Sequence, residues 1–62
     1  MPLSGKEMVR LFKKNGWIVD RIKGSHHILC NIETGETVPI PVHGNRSLKK
    51  GLEQALLKKV KK

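Results

Sequence analysis

The first part of the chain carries apolar residues at the spacing of one helical face, namely Met8, Val9, Leu11 and Phe12. Ahead of them, Ser4 and Glu7 match a capping box, in which each residue's side chain accepts a hydrogen bond from the other's backbone. Asn15 and Gly16 then provide a stop, because a left-handed glycine ends many helices. The pattern predicts a first helix at about residues 5–14.

At Trp17 the pattern changes to an alternation of apolar and polar residues, which is typical of a strand. Trp17 and Val19 share one face of this strand, and Ile18 and Ile22 share the other. The glycine and serine of Lys23-Gly24-Ser25 then indicate a turn. A first strand followed by a tight reversal is therefore predicted.

Two further strands follow this turn. In the second, from His27 to Ile32, the apolar residues expected to face the core are Ile28, Cys30 and Ile32. After a reversal at residues 33–36, the third strand has three apolar residues on one face, Val38, Ile40 and Val42. Pro39 and Pro41 remove backbone donors along one side of this strand, so it is predicted to form an edge of the sheet.

The last segment combines a polar loop with a second apolar stripe. The loop is His43-Gly44-Asn45-Arg46, Ser47 is the predicted helix cap, and the stripe comprises Leu48, Leu52, Ala55, Leu56 and Val60. Gly51 interrupts the stripe and costs about 1 kcal/mol relative to alanine in a helix. The alternative is therefore a helix that begins nearer Gly51, with Leu48 packing from the loop.

Together these elements predict an α+β fold of order α-β-β-β-α in a single domain over residues 1–62. A three-stranded antiparallel sheet with two helices is expected to hold both helices on one face. The 62 residues allow only a small core, since a chain of this size buries about 60% of its unfolded surface. A large enzyme with a deep cleft is excluded.

Charge narrows the class of partner. Thirteen Lys and Arg against five Asp and Glu give a formal net charge of +8, which favours a polyanion, with nucleic acid first. The lone Cys30 cannot form a disulfide within the chain, and no apolar run approaches the roughly 20 residues of a membrane span. We therefore expect a cytoplasmic protein with no membrane partner.

The cations are spread along the whole chain. They are Lys6, Arg10, Lys13, Lys14, Arg21, Lys23, Lys49, Lys50, Lys58, Lys59, Lys61 and Lys62, together with Arg46 of the polar loop. With one Trp, one Phe and no Tyr, stacking of bases on aromatic side chains is poorly supported, and Trp17 is expected in the core. Recognition is expected to depend on backbone phosphates and shape, and a merely solvated basic surface is the alternative.

The stretch Arg21-Ile22-Lys23-Gly24-Ser25-His26-His27 concentrates the groups that RNA cleavage uses. The 2′-hydroxyl must lose a proton, the leaving 5′-oxygen must gain one, and cations stabilise the charged intermediate. Histidine suits these transfers because its reference pKa is about 6.5. His26 and His27 should point to opposite faces of a strand, so only one is expected to act. Position alone does not choose between them, and a purely structural histidine remains the alternative.

Metal binding is the other chemistry that these side chains suggest. The potential ligands are His26, His27, Cys30 and His43. Their spacing lacks the paired cysteines or helical histidine pair of common sites, and Cys30 stands in an apolar pattern typical of buried free cysteines. We predict no metal and no other cofactor.

Several motifs occur in order along nearly the whole chain. They are Lys14-Asn15-Gly16-Trp17, the Arg21–His27 stretch, Val38-Pro39-Ile40-Pro41-Val42-His43-Gly44-Asn45, Leu48-Lys49-Lys50-Gly51-Leu52 and Leu56-Leu57. In this order they resemble the HicA toxins, the small ribonucleases of HicAB toxin–antitoxin systems. Glu53 and the lysine-rich end depart from the usual pattern of that family, both of them in the last helix and away from His26.

The resemblance implies a double-stranded-RNA-binding-like fold and cleavage of mRNA without the ribosome. It also distinguishes the two histidines, because the family's catalytic residue directly follows Gly-Ser and is His26 here. It further implies a HicB-type antitoxin that blocks the site, with the toxin alone as a monomer or bound to the antitoxin in a hetero-oligomer. His43 falls at a recurrent position, where it either assists the site or fixes its own loop.

The resulting hypothesis is a metal-independent endoribonuclease, an mRNA interferase, with His26 as general base or acid. The residues predicted to bind RNA or its phosphates are Arg21, Lys23, Gly24, Ser25, Lys49 and Lys50. Two alternatives stay open. A non-catalytic module would bind RNA in a salt-sensitive way without forming products, and a degenerate toxin would bind only its antitoxin.

Overall fold

A computed structural model describes residues 3–44 and 46–60. Its elements are α1 (Gly5–Lys14), β1 (Trp17–Lys23), β2 (His26–Asn31), β3 (Thr37–Pro41) and α2 (Lys50–Val60). The predicted α+β fold of order α-β-β-β-α is confirmed. Asn45 of the predicted loop and the terminal Lys61 and Lys62 lie outside the described residues.

The first helix begins at the predicted capping box. The Ser4 hydroxyl accepts a hydrogen bond from the Glu7 N–H at 3.2 Å, and the Glu7 carboxylate accepts one from the Ser4 N–H at 2.9 Å. These bonds satisfy donors at the start of the helix that have no partner within it. At the other end, Asn15 caps α1 and Gly16 follows with a φ of +92°, as the predicted stop requires.

The three strands form an antiparallel sheet in the order β1-β2-β3, so β3 lies at an edge as predicted. Just after this strand, the Val42 N–H donates to the Ser25 carbonyl at 2.6 Å. Alternate residues of an antiparallel strand face the same neighbour. Pro39 and Pro41 therefore turn their nitrogen atoms, which carry no hydrogen, to the outer edge.

The core lies between the two helices and one face of the sheet. Its buried apolar residues are Met8, Val9, Phe12, Trp17, Leu29, Val38, Ile40, Leu48, Leu56 and Val60, so both helices contribute to the one core. On β2 the buried residue is Leu29, which pairs with Val38, whereas Ile32, directly after the strand, is 64% exposed. The prediction that Ile28, Cys30 and Ile32 face the core is wrong, because the register aligns Leu29 with the buried side of β3.

The first strand contains a β-bulge. Its register with β2 shifts between Val19 and Arg21, and Asp20 has no partner there. One extra residue reverses the alternation of faces along the rest of the strand. Ile18 and Ile22 therefore lie on opposite faces, and the prediction that they share one is wrong.

The second helix begins at Lys50. Leu48 is buried from the segment that precedes it, which confirms the alternative of a start near Gly51. Ser47 forms an isolated β-bridge three residues before the helix, so it is not the predicted cap. Ala55 of the predicted stripe is exposed.

The buried carboxylate of Glu53 holds the N-terminal segment against α2. Glu53 is only 8% exposed, and its Oε2 accepts the hydrogen bond of the Leu3 N–H, 50 positions earlier in the chain. The Leu3 carbonyl accepts a hydrogen bond from the Leu48 N–H at 2.8 Å, and Ser4 pairs with Ser47 in the β-bridge. Glu53 thus joins the two ends of the fold.

Replacing Glu53 with alanine is expected to lower the free energy of unfolding by about 1–3 kcal/mol, because the half-buried Leu3 N–H loses its acceptor. Urea unfolding followed by circular dichroism measures the change. Gln54→Ala, at the exposed neighbouring position, is the control and should stay within about 0.5 kcal/mol of the unmodified chain. Equal stabilities of the two variants would contradict this role for Glu53.

The start of α1 touches the end of β3 at Gly5. A Cβ atom there would lie 2.1 Å from the Pro41 carbonyl oxygen and 2.9 Å from the Val42 Cα. Only glycine permits so close an approach of two backbones. The contact fixes the end of β3, and with it the loop that begins at His43.

Candidate functional site

His26 lies on the sheet face that points away from the helices. It pairs with Lys23 of β1 on one side and with Pro41 of β3 on the other. Directly paired residues share a face, and the buried Leu29 occupies the opposite one. His26 and Lys23 are both exposed, so this end of the open face presents an imidazole beside an ammonium group.

The other predicted cation of β1, Arg21, shares the open face through its pairing with Ile28. Its Nε lies 3.6 Å from Asp20 Oδ2, and both side chains are largely exposed. An exposed pair of this kind contributes only about 0–1 kcal/mol, so a phosphate can replace the carboxylate. Lys23 makes no ion pair within the described residues, so its charge is available to an anion.

The turn between β1 and β2 consists of Gly24 and Ser25. Gly24 has a φ of +56°, in the left-handed region that favours glycine. The Ser25 carbonyl accepts the Val42 N–H, which ties the segment after β3 to this turn. Through this bond the fold places His43 beside His26.

The His26 and His43 rings form an exposed pair. Their centroids are 6.5 Å apart and their planes are inclined by 80°. The His43 loop turns through Gly44, with a φ of +59°, and the Arg46 N–H donates to the His43 carbonyl at 3.1 Å. Of the two alternatives for His43, assistance of the site requires such proximity to His26, whereas fixing its own loop does not.

A cleft of about 370 Å³ opens beside His43, between the end of β3 and the start of α2. Arg46 and Lys49 line it together with His43. Lys50, by contrast, is exposed at the first residue of α2 and does not line this cleft. Sequence analysis did not predict that Arg46 lines this cleft, and its positive charge within the polar loop is the only local indication.

His27 lies on the opposite face from His26, as predicted for adjacent residues of a strand. It pairs with Ile22 and Ile40 on the helix side of the sheet. If Ile28 faced the core as predicted, His26 would lie on that side too, because the two residues share a face of the strand, and the register reverses this. His27 is half-buried, and its Nδ1 atom is buried without a hydrogen-bond partner in the described part of the chain.

His27 lines a second cleft, of about 260 Å³, which we call the α1 cleft. Its lining residues are Lys6, Val9, Arg10, Lys13, His27 and Val42. The three cations had entered the sequence analysis only as part of the general positive charge. Their shared position along one side of α1 becomes visible once the helix is set against the sheet.

The positions of Cys30 and of the two adjacent histidines differ in burial or in face. Cys30 is half-buried on the open face, where its thiol donates weakly to the Asn31 carbonyl at 3.7 Å. Across residues 3–44 and 46–60, no three His, Cys, Asp or Glu side chains gather closely enough to hold a metal ion. His26 and His27 diverge to opposite faces and cannot share one.

The fold and the site define a class of small basic α+β domain, in which the end of an antiparallel sheet carries exposed histidines beside cations. The family model of the HicA toxin of bacterial toxin–antitoxin systems matches residues 5–61. The chain therefore belongs to the HicA toxin family, and membership implies partnership with an antitoxin. Searches among curated proteins and among solved structures gave no match. Neither helix, within the described residues, is long and apolar enough to cross a membrane.

Proposed function

We propose that the chain is a ribosome-independent and metal-independent endoribonuclease that cleaves mRNA in the cytoplasm, with His26 as its catalytic residue. One observation carries this proposal. The exposed His26 imidazole lies opposite Lys23, and its ring centroid is 6.5 Å from that of His43. Membership in a toxin family supports a damaging activity that an antitoxin restrains.

Cleavage of RNA by its own 2′-hydroxyl requires two proton transfers. A general base removes the hydroxyl proton as the 2′-oxygen bonds to phosphorus, and a general acid protonates the 5′-oxygen as its bond to phosphorus breaks. His26 and His43 supply two imidazoles for these steps, one as the general base and the other as the general acid. The products are a 2′,3′-cyclic phosphate and a 5′-hydroxyl end.

The cations around the two histidines stabilise negative charge. Lys23 is nearest along the sheet and faces the phosphoryl oxygens, where charge increases during the reaction. Arg21 adds a second cation from the same face, and Gly24 and Ser25 hold the backbone that presents His26. Beyond His43, Lys49 binds a neighbouring phosphate from its cleft, while Lys50 adds longer-range attraction.

The test is incubation of the purified chain with end-labelled mRNA in EDTA and without ribosomes. We expect cleavage to products that end in a cyclic phosphate. Intact RNA with salt-sensitive binding would replace this proposal with a non-catalytic RNA-binding module. Binding to an antitoxin without either RNA binding or cleavage would indicate a degenerate toxin, and cleavage only with added divalent cations would contradict metal independence.

The proposed antitoxin is of the HicB type and blocks access to His26. An acidic surface on such a partner would complement the net charge of +8. The toxin is then a monomer when free and part of a hetero-oligomer when inhibited. Adding the antitoxin to the cleavage assay should stop product formation, and size-exclusion chromatography of each state measures the assembly.

His43→Ala is expected to slow cleavage about 10²-fold, because one of the two proton transfers loses its imidazole. The bell-shaped dependence of kcat/KM on pH, which two such groups produce, should lose one of its limbs. Thr37→Ala, an exposed change at the far end of β3, is the matched control and should keep both the rate and the profile. An unchanged profile in the His43 variant would show that His43 only shapes its loop.

A further inference from the structure

Three cations of α1 stand in a row along the α1 cleft. Lys6, Arg10 and Lys13 follow each other at intervals of four and three residues, which places them on one face of the helix. All three are exposed and line the cleft together with His27. The cleft measures about 260 Å³, well above the roughly 30 Å³ that one water molecule takes in the liquid, so a phosphate group fits.

The charge of this row is not balanced by acidic residues. Among the described residues, no carboxylate lines the cleft and no ion pair includes Lys6, Arg10 or Lys13. Glu7 is also on α1, but its carboxylate accepts the hydrogen bond of the Ser4 N–H in the capping box. Like charges at helical spacing repel each other, so an anion bound among them is stabilising.

His27, which also lines this cleft, carries a ring nitrogen without a hydrogen-bond partner in the described part of the chain. Its Nδ1 is buried and has no partner within the described residues, and a buried polar atom of this kind usually has a protein, water or ligand partner. Phosphate oxygens accept hydrogen bonds from imidazole, ammonium and guanidinium groups alike. The side chains of this cleft thus suit a phosphate better than a neutral or cationic ligand.

The α1 cleft lies at the same end of the sheet as the proposed active site. His27 directly follows His26 in β2, and Val42, which lines the cleft, directly precedes His43. An RNA strand that passes over this end of the sheet can contact both faces. We infer that the α1 cleft binds a backbone phosphate of the substrate RNA next to the cleaved bond and so positions the strand at His26. The identity of the polyanion as RNA rests on the proposed function.

The test uses a 2′-O-methyl RNA oligonucleotide, which lacks the attacking hydroxyl and therefore reports binding without cleavage. Fluorescence anisotropy at several salt concentrations compares the unmodified chain with Arg10→Gln/Lys13→Gln. The matched control is Lys14→Gln/Lys58→Gln, which removes equal charge from exposed positions outside the cleft. Circular dichroism checks that each variant folds. If the double variant does not fold, the single variant Lys6→Gln tests the same cleft.

We expect Arg10→Gln/Lys13→Gln, the cleft variant, to bind the oligonucleotide about tenfold more weakly at physiological salt. The slope of log binding constant against log salt concentration should fall in magnitude by about 0.7 for each phosphate that is no longer neutralised. The control should bind less than about threefold more weakly. Addition of the oligonucleotide, or of inorganic phosphate at higher concentration, should shift the NMR signals of the His27 ring. Shifts with inorganic phosphate but not with the oligonucleotide would mean that the cleft takes free phosphate, which overturns the assignment to RNA.

Equal losses of affinity in the cleft variant and its control would show diffuse attraction and overturn the inference. Unchanged RNA affinity combined with weaker antitoxin binding would assign the cleft to an acidic side chain of that partner, which also overturns it. The proposed function can fail separately from this inference. If the chain binds the oligonucleotide through the cleft but leaves ordinary RNA intact, only the proposed nuclease activity is disproved. If the unmodified chain cleaves RNA and the cleft variant binds RNA as tightly as the unmodified chain, only the role of the cleft is disproved.

Discussion

His26→Ala is expected to reduce the rate of RNA cleavage by about 10²- to 10⁴-fold, the usual contribution of a positioned acid or base. The fold should survive, because His26 is exposed and its ring contacts only His43 among the aromatic side chains of the described residues. Binding to uncleavable RNA should change little, since Lys23, Arg21 and the α1 cleft remain. Single-turnover cleavage of labelled RNA measures the reduction in rate, and circular dichroism measures the fold.

Imidazole added to the buffer distinguishes a chemical role of His26 from a structural one. A free imidazole can occupy the space that the truncated side chain leaves and transfer the proton, so it should restore part of the activity of His26→Ala. It should not accelerate the unmodified chain. A folded His26→Ala variant that cleaves RNA at the unmodified rate would contradict the proposed mechanism and direct attention to His43.

Gly5→Ala is expected to remove most of the stability of the fold. The added Cβ would lie 2.1 Å from the Pro41 carbonyl oxygen, and side-chain rotation cannot separate the two atoms, because the backbone fixes both positions. Overpacking of this kind costs about 1–3 kcal/mol and occasionally more. A core in a chain of fewer than about 70 residues rarely supplies more than about 3–5 kcal/mol. The urea midpoint should therefore fall sharply, and much of the chain should be unfolded at 37 °C.

Gly51→Ala is the matched control for this substitution. Nothing lies within 4 Å of a Cβ at Gly51, which is exposed in α2. Alanine there should raise the free energy of unfolding by about 0.5–1 kcal/mol, because it favours the helix and restricts the unfolded chain. Opposite shifts of the two urea midpoints are the expected result. A Gly5→Ala variant as stable as the unmodified chain would contradict the close contact between α1 and β3.

The sequence predicts the elements that depend on local chemistry. The capping box of Ser4 and Glu7 and the stop at Gly16 are contacts between near neighbours, and α1 accordingly has its predicted bounds. The prolines of β3 likewise identify an edge strand from two residues alone. In such cases the groups that form the structural feature are close together in the chain, so the local sequence is enough to predict it.

The orientation of β2 could not be predicted in this way. Its two faces offer Ile28, Cys30 and Ile32 on one side and only Leu29 as an apolar residue on the other, so composition favours the wrong face. A strand has a period of two, and a shift of one residue exchanges its faces. The choice is made by pairing with β3, where Leu29 meets the buried Val38. The bulge at Asp20 likewise depends on how β1 pairs with β2, and no local pattern in the sequence indicates it.

The candidate site likewise combines features that a local motif predicts with features that depend on long-range contacts. His26 was identified because it stands in a motif, and its catalytic role stays a prediction. Its proximity to His43 depends on the hydrogen bond between Val42 and Ser25, which joins segments distant in the chain. The α1 cleft likewise requires α1 to be placed against His27. The function of Glu53, a backbone acceptor for Leu3, is of the same long-range kind.

The two prolines of β3 also affect how copies of the chain behave when they are crowded together. An exposed strand edge normally serves as a template on which another chain can add a strand, and aggregation often starts there. Along the outer edge of β3, Pro39 and Pro41 offer no N–H to such a strand. The opposite edge is interrupted by the bulge at Asp20 and flanked by charged side chains. Edge-to-edge growth of the sheet into fibres is thus hindered on both sides.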